Sequence, residues 1–371
     1  MNTENVKGFK DYTGVEALKR AEVRKIIEGT FEKYGFEPAE TPIVEYEEFV
    51  KGENEKDEAV SDIFKLQDKG KRNLALRYEF TFQLKRIMNN MKLPYKRFQI
   101  GPVFRDEPVS QDRFRQFTQC DADVIGSTIK DEAEILSVAC EVMERLGIKG
   151  TIKINNRKLM NEILEEQKIK SAEDVMREID KLEKIGEAAV KKNLKKYKAE
   201  KILDIIKKPE SYFKKYKTYK EIEELKKYCA IFGVKVEFSP SLIRGLSYYN
   251  GNVFEAQGIG GGSYMFNGIQ CTGISFGLDR VSLLSNIKIN KEKYLVISLD
   301  KDKDAVKLAK KLRDKGEIVG LFYGKPSKAL EYANSYCFNR AVFVGEKEIK
   351  SGKFKVKDMD SGKEKSLDFS A

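Results

Sequence analysis

Three arginines in this chain sit where an arginine can do chemistry on phosphate. Arg105 opens a polar loop as Phe-Arg-Asp-Glu, Arg244 lies in Leu242-Ile-Arg-Gly-Leu-Ser-Tyr-Tyr249, and Arg280 ends Gly277-Leu-Asp-Arg280 at the start of an apolar run. A guanidinium at a strand end or helix start, with glycine nearby, can clamp a phosphate through two parallel hydrogen bonds. Taken singly, each also reads as an ordinary surface salt bridge. Their company lifts them: Arg77-Tyr-Glu79 before the first, and Gln119-Cys-Asp-Ala-Asp123 after it. Together they mark a site where phosphate could be held. The chain contains no histidine. That excludes Ser-His-Asp and Cys-His nucleophile systems, an HExxH zinc site and imidazole acid–base catalysis. No resident metal site is expected.

Composition bounds the partners and the compartment. The 371 residues carry a net charge of +11, which points to an anionic partner, nucleic acid first, or to nothing beyond solubility. Much of the excess falls in one stretch, since Lys191 to Lys220 holds twelve lysines against three acids. Tyr197, Tyr212, Phe213, Tyr216 and Tyr219 are interleaved there. One reading is a solvated helix face with the aromatics in the core. The preferred one is a phosphate-contacting surface, because an unbalanced run costs self-repulsion. The five dispersed cysteines form no C-x-x-C pair and read as intracellular thiols. No stretch approaches the ~18 apolar residues of a membrane span. A cytoplasmic protein without a membrane segment is expected.

The elements that must carry these residues follow from periodicity and punctuation. Leu18, Ala21, Ile26 or Ile27, Phe31 and Tyr34 recur near helical spacing, so Thr13–Tyr34 reads as a helix that Gly35 stops. Ile63–Leu66 and Leu74–Arg77 read as strands around Asp68-Lys-Gly-Lys, and Thr81–Met91 as a helix. Phe98–Phe104 and Gln116–Val124 read as a long-looped hairpin, followed by a helix from Asp131 to Leu146. Residues 156–230 are helical by propensity, with few Gly or Pro. Strand-like text returns at Val234, with glycines at 258–262 and 268. Beyond Asn290 strands and helices alternate, which predicts a separate α/β domain closed by a hairpin at Phe354–Phe369. The domains expected are therefore 1–288, with a helical insertion at about 156–230, and 291–371.

At this point the text resembles the class II aminoacyl-tRNA synthetases and, within them, the histidyl-tRNA synthetase family, from about Gly8 to Lys365. Gly8-Phe-Lys-Asp-Tyr12 through Pro42 is similar to the first class motif, Phe104-Arg-Asp-Glu with Arg113-Phe-Arg-Gln-Phe to the second, and Gly277-Leu-Asp-Arg280 to the third. Leu242–Tyr249 with Val253-Phe-Glu255 is the histidine-specific text, while Gln119-Cys-Asp-Ala-Asp123 is like archaeal and eukaryotic members.

The resemblance implies an α+β catalytic domain (antiparallel sheet with flanking helices) carrying a helical insertion, plus a C-terminal α/β anticodon-binding domain. It implies ATP- and Mg²⁺-dependent activation of L-histidine, transfer to tRNA(His), and a homodimer through the N-terminal motif. Glu79 and Thr81, with Phe80 between them, would hold the amino group. Arg105 would contact the carboxylate and the α-phosphate, and Gln119 would fix the amino acid. Asp123 and Tyr249 would read the imidazole, with Tyr248 beside them. Arg244 would neutralise the α-phosphate, and Arg280, with Glu107, would serve ATP. Lys195, Lys196 and Lys198 are the expected tRNA contacts, from the charge run. The alternative is a synthetase-like paralogue acting as a regulatory or binding module; the three retained arginines speak against it. Ser247 and Ser263 stand where the family pattern has Asp and Arg, a pair expected to be lost together so that no charge is left alone.

Overall fold

The computed structural model describes residues 1–52, 58–110, 113–244, 248–288 and 292–368. The chain divides into two compact units, one of residues 1–11 and 20–287, the other of residues 12–19 and 288–371.

In chain order the strands are β1 (Glu37–Pro38), β2 (Val44–Tyr46), β3 (Lys65–Gln67), β4 (Asn73–Leu76), β5 (Tyr95–Phe104), β6 (Gln116–Ile125), β7 (Ile152–Asn156), β8 (Val236–Phe238), β9 (Tyr249–Ala256), β10 (Ile259–Phe266) and β11 (Ile269–Gly277). Eight of them form the main sheet, ordered β1-β5-β6-β11-β10-β9-β7-β8. Neighbours from β5 to β7 are antiparallel, as expected; the two outermost pairs, β1 with β5 and β7 with β8, are parallel. Of the glycine-rich stretch, Gly260, Gly261 and Gly262 lie within β10, and Gly258 in the turn before it. β2, β4 and β3 make a small second sheet.

Alternation along β6 shows how the main sheet is used. Cys120, Ala122 and Val124 enter the large apolar core, while Gln119, Asp121 and Asp123 point to the other face and are buried there as well. The helix Gly14–Lys33 contributes Val23, Ile27 and Phe31 to that core, four residues apart. Phe31 meets Phe36, Phe98 and Phe276 at 5.5–6.2 Å between ring centres. The helix Ile129–Leu146 starts at a capping box of Thr128 and Asp131 and ends at Gly147, whose φ of 65° needs glycine. The helix expected from Thr81 begins only at Leu84 and gives way to a 3₁₀ turn at Met88–Asn90. Gln83, just before it, is tied instead to Pro42 O at 2.9 Å and Glu45 Oε1 at 2.6 Å.

The insertion runs between the parallel neighbours β7 and β8 and is helical. Phe213, Tyr216 and Tyr219 are buried in its core, so those interleaved aromatics are packing residues and not an exposed stacking surface. Acids elsewhere in the segment answer some of the lysines: Lys215 meets Glu166 at 2.9 Å, and Lys207 meets Glu187 at 2.6 Å. Lys195, Lys196 and Lys198 are exposed.

The second unit is a five-stranded sheet of β12 (Lys293–Ser298), β13 (Ile318–Tyr323), β14 (Arg340–Val344), β15 (Lys353–Asp358) and β16 (Glu364–Asp368), ordered β13-β12-β14-β15-β16. The first three are parallel, joined by the helices Asp302–Asp314 and Pro326–Ser335; the last two form the expected hairpin. None of the described helices is long and apolar enough to cross a membrane.

Candidate active site

The polar face of the main sheet is floored by glycine. Gly273 stands opposite Asp123, Ser275 opposite Asp121, and Gly260 and Gly262 opposite Ser275 and Gly273. A methyl group on Gly260 would fall 2.3 Å from Arg244 NH1, and one on Gly273 2.0 Å from Asp123 Oδ1. The floor is bare because long side chains from its neighbours lie across it.

Around this floor the residues singled out from sequence gather in three groups. In the first, Glu79 is buried and Tyr248 Oη donates to its Oε2 at 3.1 Å, while Thr81 also hydrogen-bonds Tyr248. Burial pushes the Glu79 carboxyl up to about 7, against the pull of Arg105. In the second, Gln119 Nε2 donates to Ser275 Oγ at 2.9 Å and to Asp121 Oδ1 at 3.3 Å. Asp121 is pushed up to about 7 by burial and by Asp123 beside it. In the third, Tyr264 Oη donates to Asp123 Oδ1 at 2.5 Å, and the Arg97 guanidinium lies 2.8 Å from Oδ2. Burial raises the Asp123 carboxyl, Arg97 and Tyr264 opposing it. Leu84, Ile125, Leu242, Tyr249, Val253 and Phe266 supply the apolar wall.

The arginines frame the same face. Arg105 Nε donates to Tyr78 O at 3.2 Å, and its guanidinium sits 5.2 Å above the Phe117 ring. Glu107 is 3.8 Å from Arg105 and 3.5 Å from Arg113. Arg244 NH1 donates to Glu255 Oε2 at 3.1 Å, and Tyr249 hydrogen-bonds Arg244 as well. Arg280 is exposed on the helix Leu278–Leu284. That helix is pinned by Asp279, which accepts from Arg20 NH1 at 2.7 Å and from Thr118 N at 2.9 Å. Several buried polar atoms end here without a hydrogen-bond partner among the described residues: Gln99 Oε1, Gln119 Oε1 and Arg244 Nε. Orphans of this kind on one face are what a polar ligand would satisfy.

Two expected groups stand apart. Phe80 is fully buried with Arg77 stacked 4.7 Å above its ring, so its side chain is core. Lys195, Lys196 and Lys198 belong to the insertion. Sequence reasoning missed Arg97, Asp121 and Tyr264. The signal was there in alternation, since Gln119, Asp121 and Asp123 must share one face of a strand. Ser263 is buried and donates to Glu132 Oε1 at 2.7 Å, with Asn252 on the other carboxyl oxygen at 2.7 Å. It therefore has a partner of its own, and burial pushes Glu132 up to about 7. Ser247 lies outside the described residues.

Comparison with known proteins gives the family. Residues 8–281 match the family model described as histidyl-tRNA synthetase, and residues 290–371 one described as anticodon binding domain. The Histidine--tRNA ligase 1 of Bacillus cereus is 34% identical over 98% of this chain and 95% of its own length. The crystal structure of histidyl-tRNA synthetase from Nostoc sp. PCC 7120 superposes with a TM-score of 0.84 at 25% identity, covering 99% of this chain and 97% of that one. A Bacillus halodurans C structure, titled an ATP phosphoribosyltransferase regulatory subunit/histidyl-tRNA synthetase, shares the fold at TM-score 0.74 and 20% identity, covering 92% and 98%. These relatives are bacterial, in contrast to the archaeal and eukaryotic flavour of the Gln119–Asp123 text. With similarity running through both domains, the chain belongs to the histidyl-tRNA synthetase family of class II synthetases.

Proposed function

We propose that the protein is a histidine–tRNA ligase, activating L-histidine with ATP and passing the histidyl group to tRNA(His). In the first step a carboxylate oxygen of histidine attacks the α-phosphorus, and the bond to the β-phosphate breaks to release pyrophosphate. In the second the terminal ribose hydroxyl of the tRNA attacks the carbonyl carbon and AMP leaves. The observation that carries this reading is a pair of buried carboxyls, each met by a tyrosine hydroxyl: Glu79 by Tyr248 and Asp123 by Tyr264. Glu79 is a buried carboxyl whose charge burial opposes and Arg105 favours, and an ammonium would add to the positive side; Asp123 and Tyr264 form an acceptor–phenol pair for an imidazole. Thr81 adds a hydroxyl beside the ammonium, and Tyr249 is the phenol proposed for the second imidazole nitrogen. Gln119 fixes the amino acid, Arg105 and Arg244 neutralise charge on the α-phosphate, and Arg280 holds the distal phosphates. The reaction needs no histidine side chain from the protein, because charge and orientation do the chemistry.

Mg²⁺ fits as an ion that arrives with ATP. Glu107, half-buried beside Arg105, offers the single carboxylate that Mg²⁺ accepts when phosphates and waters complete its shell. When bound it would offset phosphate charge. The cytoplasm, where ATP and tRNA meet, is the proposed compartment. The competing regulatory reading predicts a protein that binds histidine without exchanging pyrophosphate. Histidine-dependent ATP–pyrophosphate exchange separates the two.

The partner surfaces give two further expectations. Ile43, Val44, Tyr46 and Leu66 leave an apolar patch on the small sheet, each 40–50% exposed, and a homodimer formed there would cover it. Val44→Asp combined with Tyr46→Ser should halve the mass seen by analytical ultracentrifugation; an unchanged mass places the interface elsewhere. Replacing Lys195, Lys196 and Lys198 by Gln should weaken tRNA binding and flatten its salt dependence, by up to roughly 0.9 in log–log slope for each phosphate no longer neutralised. Pyrophosphate exchange should stay as it was. An unaltered salt slope would make these lysines a solvated face.

A further inference from the structure

Among the described residues Arg97 is the largest fully buried side chain, at 0% exposure. Its Nε and both terminal nitrogens make no aligned hydrogen bond among the described residues. Its visible electrostatic partner is Asp123 Oδ2 at 2.8 Å, directly across the β5–β6 ladder, where Arg97 and Asp123 are register partners. A buried guanidinium with so little hydrogen bonding is a costly thing to keep in a core. A hydrophobic residue would fill the volume more cheaply, so the charge itself is what the site retains.

We propose, resting on the reading of Asp123 as an imidazole acceptor, that Arg97 is a positioning residue for amino-acid selection. Paired with Asp123 Oδ2 at 2.8 Å, it favours the ionised carboxylate and holds it turned so that it can accept from an imidazole N–H. The other groups facing Asp123 cannot do this. Asp121, two residues along β6, is itself a carboxyl. Tyr264 on β10 donates to Oδ1 but carries no charge, its phenol held well above its ordinary value by burial and by Asp123. Cys271 on β11 is likewise a neutral thiol, pushed up to about 12 by burial, and Gly273 opposite Asp123 contributes only room. Without Arg97 the carboxyl is left in an apolar wall with another carboxyl for company. It then takes a proton, and a protonated carboxyl that spends its proton elsewhere is a poorer and differently directed acceptor. A positive neighbour at this range is worth about 10- to 1000-fold in a carboxyl's ionisation equilibrium.

The test uses the full-length protein and pyrophosphate exchange across pH 6.5 to 9, reading histidine KM, ATP KM and kcat separately. Arg97→Met should raise histidine KM at pH 7 by about tenfold or more. The gap to wild type should close as pH rises and Asp123 ionises unaided, with ATP KM unchanged throughout. Arg97→Lys keeps a charge, so its gap should be smaller and flat with pH; it also serves should Arg97→Met not fold. A histidine KM within about twofold of wild type at every pH, or an Arg97→Met gap that ignores pH, overturns the proposal. So does an Arg97→Lys gap that varies with pH as the Met variant's should. Asp123→Asn is run alongside. If it leaves histidine KM unmoved, the reading of Asp123 fails; if it raises KM while the Arg97 variants behave as wild type, only the role of Arg97 fails.

Discussion

Arg244→Lys is expected to slow histidine-dependent pyrophosphate exchange by about a hundredfold or more, a loss of about 2.7 kcal/mol in transition-state stabilisation. The guanidinium is laid over Gly260, where any side chain would collide with it, and is steadied by Glu255 at 3.1 Å. Its Nε is buried without a hydrogen-bond partner among the described residues. It is a planar fork held in place before substrate arrives, which is what an electrostatic catalyst requires. Lysine brings the charge on a flexible stem, and cannot meet two phosphate oxygens in one plane. Folding should suffer little, since Arg244 is partly exposed and its partner Glu255 is more exposed still, so no buried anion is stranded. The check is kcat for exchange beside a thermal melt. Near wild-type kcat would remove Arg244 from the catalytic set.

Asp123→Ala is the second large effect, and it has two parts. Histidine kcat/KM should fall by about 10³-fold or more, because a pocket built to hydrogen-bond its substrate discriminates strongly when that bond is lost. ATP binding should be nearly untouched. Stability should fall too, by about 3–5 kcal/mol, because Arg97 becomes a lone buried cation. Adding Arg97→Met to Asp123→Ala removes the second charge and should recover most of that stability without recovering histidine activation. Measured by denaturant melts and exchange kinetics, the pair of variants separates the fold from the chemistry. Recovery of activity in the double variant would mean that Asp123 does not read the amino acid.

How legible the molecule is in its sequence depends on what each feature needs. Helix ends such as Thr128, Asp131 and Gly147 are local chemistry and are readable from a few residues. So are the strand–loop–strand of 95–125 and the alternation of the C-terminal unit, which announce themselves by period. The arginines stood out by their glycine neighbours. What stayed hidden depends on register. Arg97 and Asp123 are 26 residues apart, and their meeting follows only once Phe104 is set opposite Gln116. Tyr264 reaches Asp123 across β11, which intervenes between their strands. The aromatics of the insertion could not be placed from sequence, because composition cannot say which side of a helix is covered. Tyr219 is buried there with Ile222 and Leu225, at one face of the helix Tyr219–Ile231. The late start at Leu84 reflects tertiary ties of Gln83 that override helix propensity.

The most direct measurement presents the purified protein with ATP, labelled pyrophosphate and each amino acid in turn, then with tRNA(His). Exchange is predicted with histidine and with no other amino acid, followed by histidyl-tRNA formation. No exchange with histidine, or exchange driven by a different amino acid in a correctly folded protein, would contradict the assignment as a histidine–tRNA ligase.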